Sequence, residues 1–408
     1  MGAARQEAMN RAARGLGQGR AAPQSGRASP AVLSAVLVLL TLMTTAVGSL
    51  GAPLLVSIME VEHVSVAASQ WSLTIALLIG AVATPVMGRL GDGRHRRAVV
   101  LLGVAATTLG CVIAAVPAGF AVLLFGRALQ GVGFGLVPLA TALARDGLPP
   151  AQSRRTVMAL GCTTAAGVGI GYPVAGTIAQ FFGLYAAFWT GAGVSAATLV
   201  AAALVLPASP ERDAHVNIPR ATVLGLALGA LLLVLADGPD WDWRSPVTMV
   251  LAATAVALLA AWTVFELRAA DPLIALRLLR HRPVLAANVT GLLVSIGFYP
   301  LMSLVVRLVQ APAATGYGFG ASVAIAGLML TPSSLASFAA GQAARRLAKR
   351  VSPDWAIATS CVVLIAALLL FLLARGTYGG LVVVMILQGL GIGCVFAFNP
   401  AQIVAGAP

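Results

Sequence analysis

Long apolar runs alternate with short polar connections along almost the entire chain. Most runs are long enough to cross the roughly 30 Å hydrocarbon core of a bilayer as a helix. Because a spanning segment must satisfy its own backbone hydrogen bonds in lipid, we interpret these Leu-, Ala-, Val- and Gly-rich runs as helices. The pattern predicts an all-α polytopic membrane protein. Its twelve spans, numbered 1 to 12, cover residues 31–58, 71–87, 98–116, 120–144, 157–179, 184–206, 221–236, 247–265, 284–308, 321–340, 356–373 and 381–404.

Composition and charge agree with this class of protein. Of the 408 residues, 59% are hydrophobic and 10% are charged, whereas soluble domains rarely exceed about half apolar residues. The net charge is +13, and 22 of the 26 Lys and Arg lie in the N-terminal tail or in the connections after spans 2, 4, 6, 8 and 10. By the positive-inside rule, this bias predicts a multi-pass protein of the cytoplasmic membrane with both chain ends in the cytoplasm.

The remaining polar residues exclude several other functions. Topology and attraction to anionic lipid headgroups explain the positive charge, so we do not predict nucleic-acid binding. The four cysteines are spread over predicted spans and indicate neither a disulfide nor a metal site, and no cofactor is predicted. An enzyme embedded in the membrane is disfavoured, because the histidines are scattered over connections at His63, His95, His215 and His281.

An internal repeat divides the chain. Span 4 contains LQGVGFG at residues 129–135, and span 12 contains LQGLGIG 258 positions later. The connection after span 2, GRLGDGRHRR at 88–97, has a weaker counterpart after span 10, GQAARRLAKR at 341–350, with an offset of 253. Because the two offsets nearly agree, we interpret spans 9–12 as a repeat of spans 1–4, with spans 7 and 8 inserted between two bundles.

This repeat predicts five regions. They are a polar cytoplasmic tail (1–29), an N-terminal six-helix bundle (30–206), a cytoplasmic linker (207–220), an inserted helix pair (221–268) and an incomplete C-terminal bundle of four helices (269–408). No counterparts of spans 5 and 6 follow span 12. We therefore expect a chain truncated at its C-terminus, with twelve helices of an original fourteen.

The charged connection after span 2 carries a known signature. It resembles the cytoplasmic signature of the major facilitator superfamily, Gly-x-Leu-x-Asp-x-x-Gly-Arg-Arg, and His95 stands at a position where the family usually has Gly. The matching residues are Gly88, Leu90, Asp92, Arg96 and Arg97. The resemblance implies a loop that latches the cytoplasmic side while the two halves of the transporter rock. A plain positive-inside loop explains the arginines equally well.

The geometry of this loop also follows from its residues. Gly88, Gly91 and Gly93 are expected to allow a tight reversal with positive φ angles. Asp92 is expected near the N-terminal end of the next helix, where a carboxylate is favoured by roughly 0.3–1 kcal/mol. We also expect Asp92 to pair with Arg145 at the cytoplasmic end of span 4.

Span 4 carries a charge within the membrane. Arg127 lies eight residues into the span, about 12 Å deep at 1.5 Å per residue, so it needs a polar interior. A snorkelling arginine close to the surface is the alternative. Arg127, Gln130 and Gly131 resemble the superfamily's helix-4 signature Arg-x-x-Gln-Gly. The resemblance implies that Arg127 assists proton coupling and that Gln130 shares its side of the helix.

Span 5 contains GVGIGYPVAG at residues 167–176. It resembles the Gly-Pro signature of the antiporter branches, although Tyr172 takes the usual Pro position and Ala175 replaces a Gly. The expected bend involves Gly167, Gly171, Pro173 and Gly176. Close helix packing and a gating bend explain these residues equally well.

The inserted pair, with DGPDWDW at residues 237–243, is similar to the fourteen-helix drug:proton antiporters. The resemblance implies secondary active transport by alternating access: proton-coupled export of small amphipathic compounds or drugs. The partners are then the lipid bilayer, a small-molecule substrate and protons. However, no Asp or Glu lies at the centre of a span, and Glu60 and Glu62 lie at the outer end of span 1. Transport of a polar metabolite and a truncated, non-transporting remnant stay open as alternatives.

Overall fold

The computed structural model describes residues 29–207, 217–269, 272–347 and 352–406. Most of the predicted tail 1–29, the larger part of the linker 207–220 with His215, and the last two residues lie outside the described residues. Within the described ranges, twelve helices are long and apolar enough to cross a membrane, and no strand occurs. The predicted all-α polytopic fold is therefore confirmed.

The helices, α1 to α12, correspond in order to spans 1 to 12. Serine N-caps precede α1, α2 and α8, and proline occupies the first turn of α1, α5 and α8, where its missing N–H leaves no helix hydrogen bond unmade. The bounds are Pro30–Val61, Val66–Gly91, Arg96–Ala114, Phe120–Gly147, Pro150–Phe182, Leu184–Val205, Ile218–Trp241, Pro246–Arg268, Arg282–Gln310, Val323–Leu347, Pro353–Ala374 and Tyr378–Gly406.

Two helices of the first bundle are irregular near its middle. Helix α1 consists of two segments, Pro30–Ser49 and Gly51–Val61, which meet at Leu50. Pro53 has no N–H to donate to the preceding turn, which favours an interruption at this point. Helix α4 tightens into a 3₁₀ turn at Val132–Gly135, within its glycine-rich motif. Both irregular segments lie next to the candidate site described below.

The helices pack in two groups. In the first, α1 packs against α5, α6 and α4, and α3 packs against α4 and α6. In the second, α12 packs chiefly against α10 and α11 and also contacts α9. Helices α5 and α10 connect the two groups through an extensive contact, while α7 pairs with α8 and lies against α2. The division into five regions stays a prediction.

The expected positive φ angles in the loop after α2 are not found. Gly88, Gly91 and Gly93 all have negative φ. The reason is that α2 continues to Gly91 and the chain then reverses through right-handed turns, beginning with Asp92 at φ −75°. Glycine is favoured at position 91 for a different reason, because a Cβ there would overlap the end of the Leu139 side chain in α4, which would have to move.

Candidate functional site

Arg127 is the most deeply placed charge of the first bundle. Its side chain is only 1% exposed. The guanidinium Nε donates to the Ser72 carbonyl oxygen of α2 at 2.9 Å, and Nη1 donates to Gln130 Oε1 at 2.5 Å. A Cβ on Gly51, at the break of α1, would lie 2.6 Å from Nη2. The arginine thus faces the bundle interior, not the lipid, and a snorkelling position does not describe it.

Gln130 and Gly131 complete the helix-4 signature by bringing α4 close to its neighbours. Gln130 Nε2 donates to the Gly110 carbonyl oxygen of α3 at 3.3 Å. A Cβ at position 131 would overlap the Ala76 carbonyl oxygen of α2, so this position requires glycine. The structure therefore brings Arg127, Gln130 and Gly131 together between α2 and α3. Their role in coupling stays a prediction.

The partners of the guanidinium within the described chain are neutral. Among the described residues, no carboxylate oxygen lies within 4 Å of Arg127, and the Ser72 hydroxyl is buried without a hydrogen-bond partner. An uncompensated buried charge costs several kcal/mol. The site is therefore sensitive to any charge or dipole that moves nearby.

The signature loop forms an ion pair other than the expected one. Arg96, 8% exposed, donates from Nη1 to Asp146 Oδ2 at 2.7 Å and from Nε to the Gly91 carbonyl oxygen at 2.5 Å. The expected pair of Asp92 with Arg145 is not formed, and both residues are exposed. The first turn of α3 directs Arg96 towards the end of α4, whereas Asp92 lies on the solvent side of the turn.

Other residues of the loop fasten it to neighbouring helices. Arg97 Nη2 donates to the Ala203 carbonyl oxygen of α6 at 2.7 Å. Leu90 is partly buried against the core of the first bundle, and Gly88 faces open space. Sequence reasoning missed two residues here. One is Asp146, whose position in the last turn of α4 was a signal in the sequence. The other is Arg89, which bonds to Pro272, 183 residues away.

The glycines of α5 lie in two helix contacts. A Cβ at Gly167 or Gly171 would overlap the hydroxyl of Thr45 or Ser49 in α1. On the other side, a Cβ at Gly176 would lie 2.6 Å from the Val323 carbonyl oxygen of α10. These positions allow close helix packing.

Pro173 lies within α5 without ending it, so a gating bend at this position stays a prediction. The neighbouring residue, Tyr172, contacts the second group of helices. Its hydroxyl lies 3.7 Å from Met302 Sδ of α9.

An apolar groove runs along α2 near the signature loop. Its volume is about 440 Å³, within the size range of small-molecule sites. Thr84 supplies the polar side chain of the lining. The groove is lined by Leu77, Gly80, Ala81, Thr84 and Pro85 of α2, Phe134 of α4 and Ile274 of the segment after α8.

In the described part of the chain, twelve long apolar helices in two packed groups joined along α5 and α10 define a multi-pass membrane protein. The family model of the Major Facilitator Superfamily matches residues 37–408, and the chain belongs to that superfamily. The superfamily consists of transporters, which agrees with the expectation that the protein is not an enzyme.

Several relatives are named for resistance or export. The chain is 30% identical over 281 residues to the tetracenomycin C resistance and export protein of Streptomyces glaucescens, covering 67% of this chain and 51% of the relative. It is 28% identical to the methylenomycin A resistance protein of Bacillus subtilis, covering 70% of this chain and 61% of the relative. It is 27% identical to the multidrug efflux pump LfrA of Mycolicibacterium smegmatis, covering 83% of this chain and 67% of the relative. The chain thus spans about half to two thirds of these relatives' length.

Solved structures agree on the fold. A peptide transporter POT in complex with sulfate superposes with a TM-score of 0.63 at 15% identity, covering 93% of this chain and 89% of the other. The human organic anion transporter MFSD10 gives a TM-score of 0.54 at 18% identity, covering 93% of this chain and 92% of the other. At such low identity, these similarities concern the fold alone.

Proposed function

We propose that this chain belongs to a proton-coupled exporter of small amphipathic compounds that works by alternating access. The protein lies in the cytoplasmic membrane with both ends of this chain in the cytoplasm, as the distribution of basic residues predicts. The observation that carries the proposal is Arg127, buried at 1% exposure between α1, α2 and α3, where its hydrogen-bond acceptors are neutral oxygens.

A buried guanidinium of this kind suits ion coupling. Its energy in a low-dielectric interior depends strongly on every nearby charge and dipole. Moving the break in α1 at Leu50 changes that energy by an amount that can bias one conformation over another. Gly51 brings the α1 break against Nη2, so a shift of α1 reaches the charge directly.

The groove along α2 supports the proposed substrate class. With Thr84 as the polar side chain of its lining, the groove favours apolar or amphipathic compounds over a polar metabolite. The relatives named for antibiotic resistance and multidrug efflux support the same class.

The contacts between the two groups of helices support alternating access. Gln70 Nε2 of α2 donates to Ser303 Oγ of α9 at 2.9 Å, near the predicted outer side. Gln342 of α10 contacts Cys162 Sγ of α5 at 3.0 Å, nearer the predicted cytoplasmic side. Each of these is a single polar contact at one end of the molecule, so we expect either one to break while the other stays formed.

The test is transport of fluorescent lipophilic cations by purified protein in liposomes, with and without an imposed proton gradient. We expect gradient-driven transport by the unmodified chain and at least a tenfold loss with Arg127→Ala, equivalent to about 1.4 kcal/mol in the barrier. Arg375→Ala, at the exposed end of α11, is the matched control and should keep the activity. The proposal fails if the gradient changes no rate, or if both variants behave alike.

A further inference from the structure

The segment that follows the helix pair α7–α8 is folded back onto the end of α8. We call residues 272–277 the strap. The Ile274 N–H donates to Glu266 Oε1 at 2.6 Å, and Arg277 Nη2 donates to the Leu267 carbonyl oxygen at 2.7 Å. The strap is thus held by both a buried side chain and the exposed backbone end of α8.

Glu266 anchors the strap from inside the protein. Its side chain is 1% exposed, and it is the buried carboxylate among the described residues. Two atoms on this side of α8, Glu266 Oε2 and Trp262 Nε1 one turn earlier, are buried without a hydrogen-bond partner among the described residues. Burial of a carboxylate costs free energy unless hydrogen bonds offset it. The bond from Ile274 therefore offsets part of the cost of burying Glu266, and it ties the strap to α8.

Arg89 holds the strap from the opposite side. This residue lies in the last turn of α2, between the signature positions Gly88 and Leu90. Its Nε donates to the Pro272 carbonyl oxygen at 2.9 Å, and its Nη2 donates to the same oxygen. A planar guanidinium with two donors on one acceptor fixes orientation as well as distance. The strap is therefore tied to α2 and to α8 at once.

Between these two anchors, the strap reaches the apolar groove. Ile274 forms part of the groove wall opposite Gly80 and Thr84 of α2 and Phe134 of α4. Its side chain is 36% exposed, although its backbone is bound to Glu266. An apolar side chain is thus held by its backbone at a place where a compound entering the groove would contact it.

The helix pair lies along the same helix. A Cβ at Gly225 of α7 would lie 3.6 Å from the side chain of Val82 in α2, and one at Gly229 would lie 3.8 Å from that of Leu78. Helix α2 is therefore flanked by α7 and crossed by the strap. The helix pair therefore lies close to the groove, and the sequence alone did not indicate this.

We propose that the strap forms one wall of a binding site for the apolar part of an amphipathic substrate, and that Ile274 limits its size. Arg89 and Glu266 are positioning residues, because they hold the strap and do not line the groove. The proposal rests on the proposed export function and names the substrate class of that site. The ligand is an aromatic or aliphatic moiety without charge, since the lining offers one hydroxyl and no charged group.

The first experiment compares two fluorescent probes, ethidium and the larger rhodamine 6G. Ile274→Ala should change the ratio of their kcat/KM values by about tenfold in favour of rhodamine 6G, mainly through KM, because methylene groups in an apolar site discriminate by that order. Ile218→Ala, at the exposed start of α7, makes the same truncation outside the groove and should leave the ratio unchanged. Equal ratios in the two variants would overturn the proposal.

The second experiment tests the anchors without requiring transport. Ile274→Cys is introduced after the four natural cysteines are changed to alanine, and its rate of maleimide labelling is measured. The rate should rise several-fold when Arg89→Ala or Glu266→Ala is added. It should stay at the parent level with Glu266→Gln, because glutamine keeps an acceptor for the Ile274 N–H. If none of these changes alters the rate, or if Gln acts like Ala, the anchors are wrong.

The two proposals fail separately. If export is absent, the ratio of the two probes is read from their binding to purified protein by fluorescence anisotropy. If export is absent but the binding ratio of the two probes shifts, the export function is refuted and the proposal for the strap stands. Normal export with an unshifted ratio refutes the strap alone.

Discussion

Helices α4 and α12 carry the same motif, and their glycines pack in the same way. A Cβ at Gly131 would overlap the Ala76 carbonyl oxygen of α2, and a Cβ at Gly389 would overlap the Ser333 carbonyl oxygen of α10. Each first glycine therefore lets its helix approach the backbone of a neighbouring helix two positions earlier in the chain. The shared motif encodes close helix packing.

The second glycine of each motif has an equivalent contact as well. A Cβ at Gly133 would lie 2.8 Å from Thr107 Oγ1 of α3, and one at Gly391 would lie 3.0 Å from the Ser360 carbonyl oxygen of α11. In both halves, the second glycine thus faces the helix that directly precedes the motif helix in the chain. The glycines of each motif therefore face two neighbouring helices, α2 and α3 for α4, and α10 and α11 for α12.

The two helices differ in charge. Position 127 holds arginine, and the position 258 residues later holds Met385, which is fully buried. Gln130 Oε1 accepts from Arg127, whereas Gln388 donates to the Phe298 carbonyl oxygen at 2.9 Å and its Oε1 has no partner in the described part. The scaffold is therefore duplicated, and the charge at this motif position is confined to one copy.

The largest effect is expected when the missing charge is added to the second copy. Met385→Arg places a guanidinium in an apolar core, with Gln388 Oε1 as the acceptor within one helical turn. A buried charge without adequate partners destabilises by about 3–5 kcal/mol. We expect little folded protein in detergent, measured by size-exclusion chromatography. Met385→Leu is the control and should fold. A well-folded Met385→Arg protein would show that the second bundle already tolerates charge at this depth.

The glycine contacts give the next effect. Gly131→Val and Gly389→Val should each destabilise by roughly 1–3 kcal/mol or more, because a rigid backbone carbonyl cannot yield to the added side chain. Gly88→Ala, which faces open space, is the control. The measurement is the midpoint of thermal unfolding in detergent. Equal losses support equivalent packing, while a loss in one copy alone would mean that the shared motif has different structural roles.

Much of the fold followed from the sequence because membrane helices are encoded locally. A long apolar run predicts a span without knowledge of its neighbours. The break of α1 at Leu50 was not predicted, although Gly51 and Pro53 carry the local signal for it. The interior position of Arg127 was predicted from its depth, because the cost of exposing a charge to lipid decides which way it faces.

Contacts between distant residues were less predictable. Asp92 was expected to pair with Arg145, but the loop places Arg96 against the adjacent residue, Asp146. Successive side chains on a helix point about 100° apart, so Arg145 and Asp146 face different neighbours. The sequence does not show which of the two faces the loop. The bond from Arg89 to Pro272 joins residues 183 positions apart, and no sequence periodicity indicates it.

A smaller effect distinguishes the two glutamines. Gln130→Leu removes the acceptor of Arg127 Nη1 and leaves a buried donor unpaired, which costs about 1–3 kcal/mol. Gln388→Leu removes an oxygen that already lacks a partner among the described residues, together with one hydrogen bond, so we expect less than about 1 kcal/mol. Thermal unfolding of the two variants measures the difference. If Gln388→Leu is the more damaging, a partner such as bound water satisfies its Oε1.

The smallest effect concerns the ion pair at the end of the first motif helix. Asp146→Asn removes the charge that faces Arg96, but the Asp146 side chain is 60% exposed. Exposed pairs contribute about 0–1 kcal/mol, and Arg96 keeps its bond to the Gly91 carbonyl oxygen. We therefore expect a shift in unfolding temperature barely larger than that of Arg145→Ala, the neighbouring arginine. A large loss of transport with unchanged stability would instead mean that this pair acts in the conformational cycle, and that charges both inside α4 and at its cytoplasmic end distinguish it from α12.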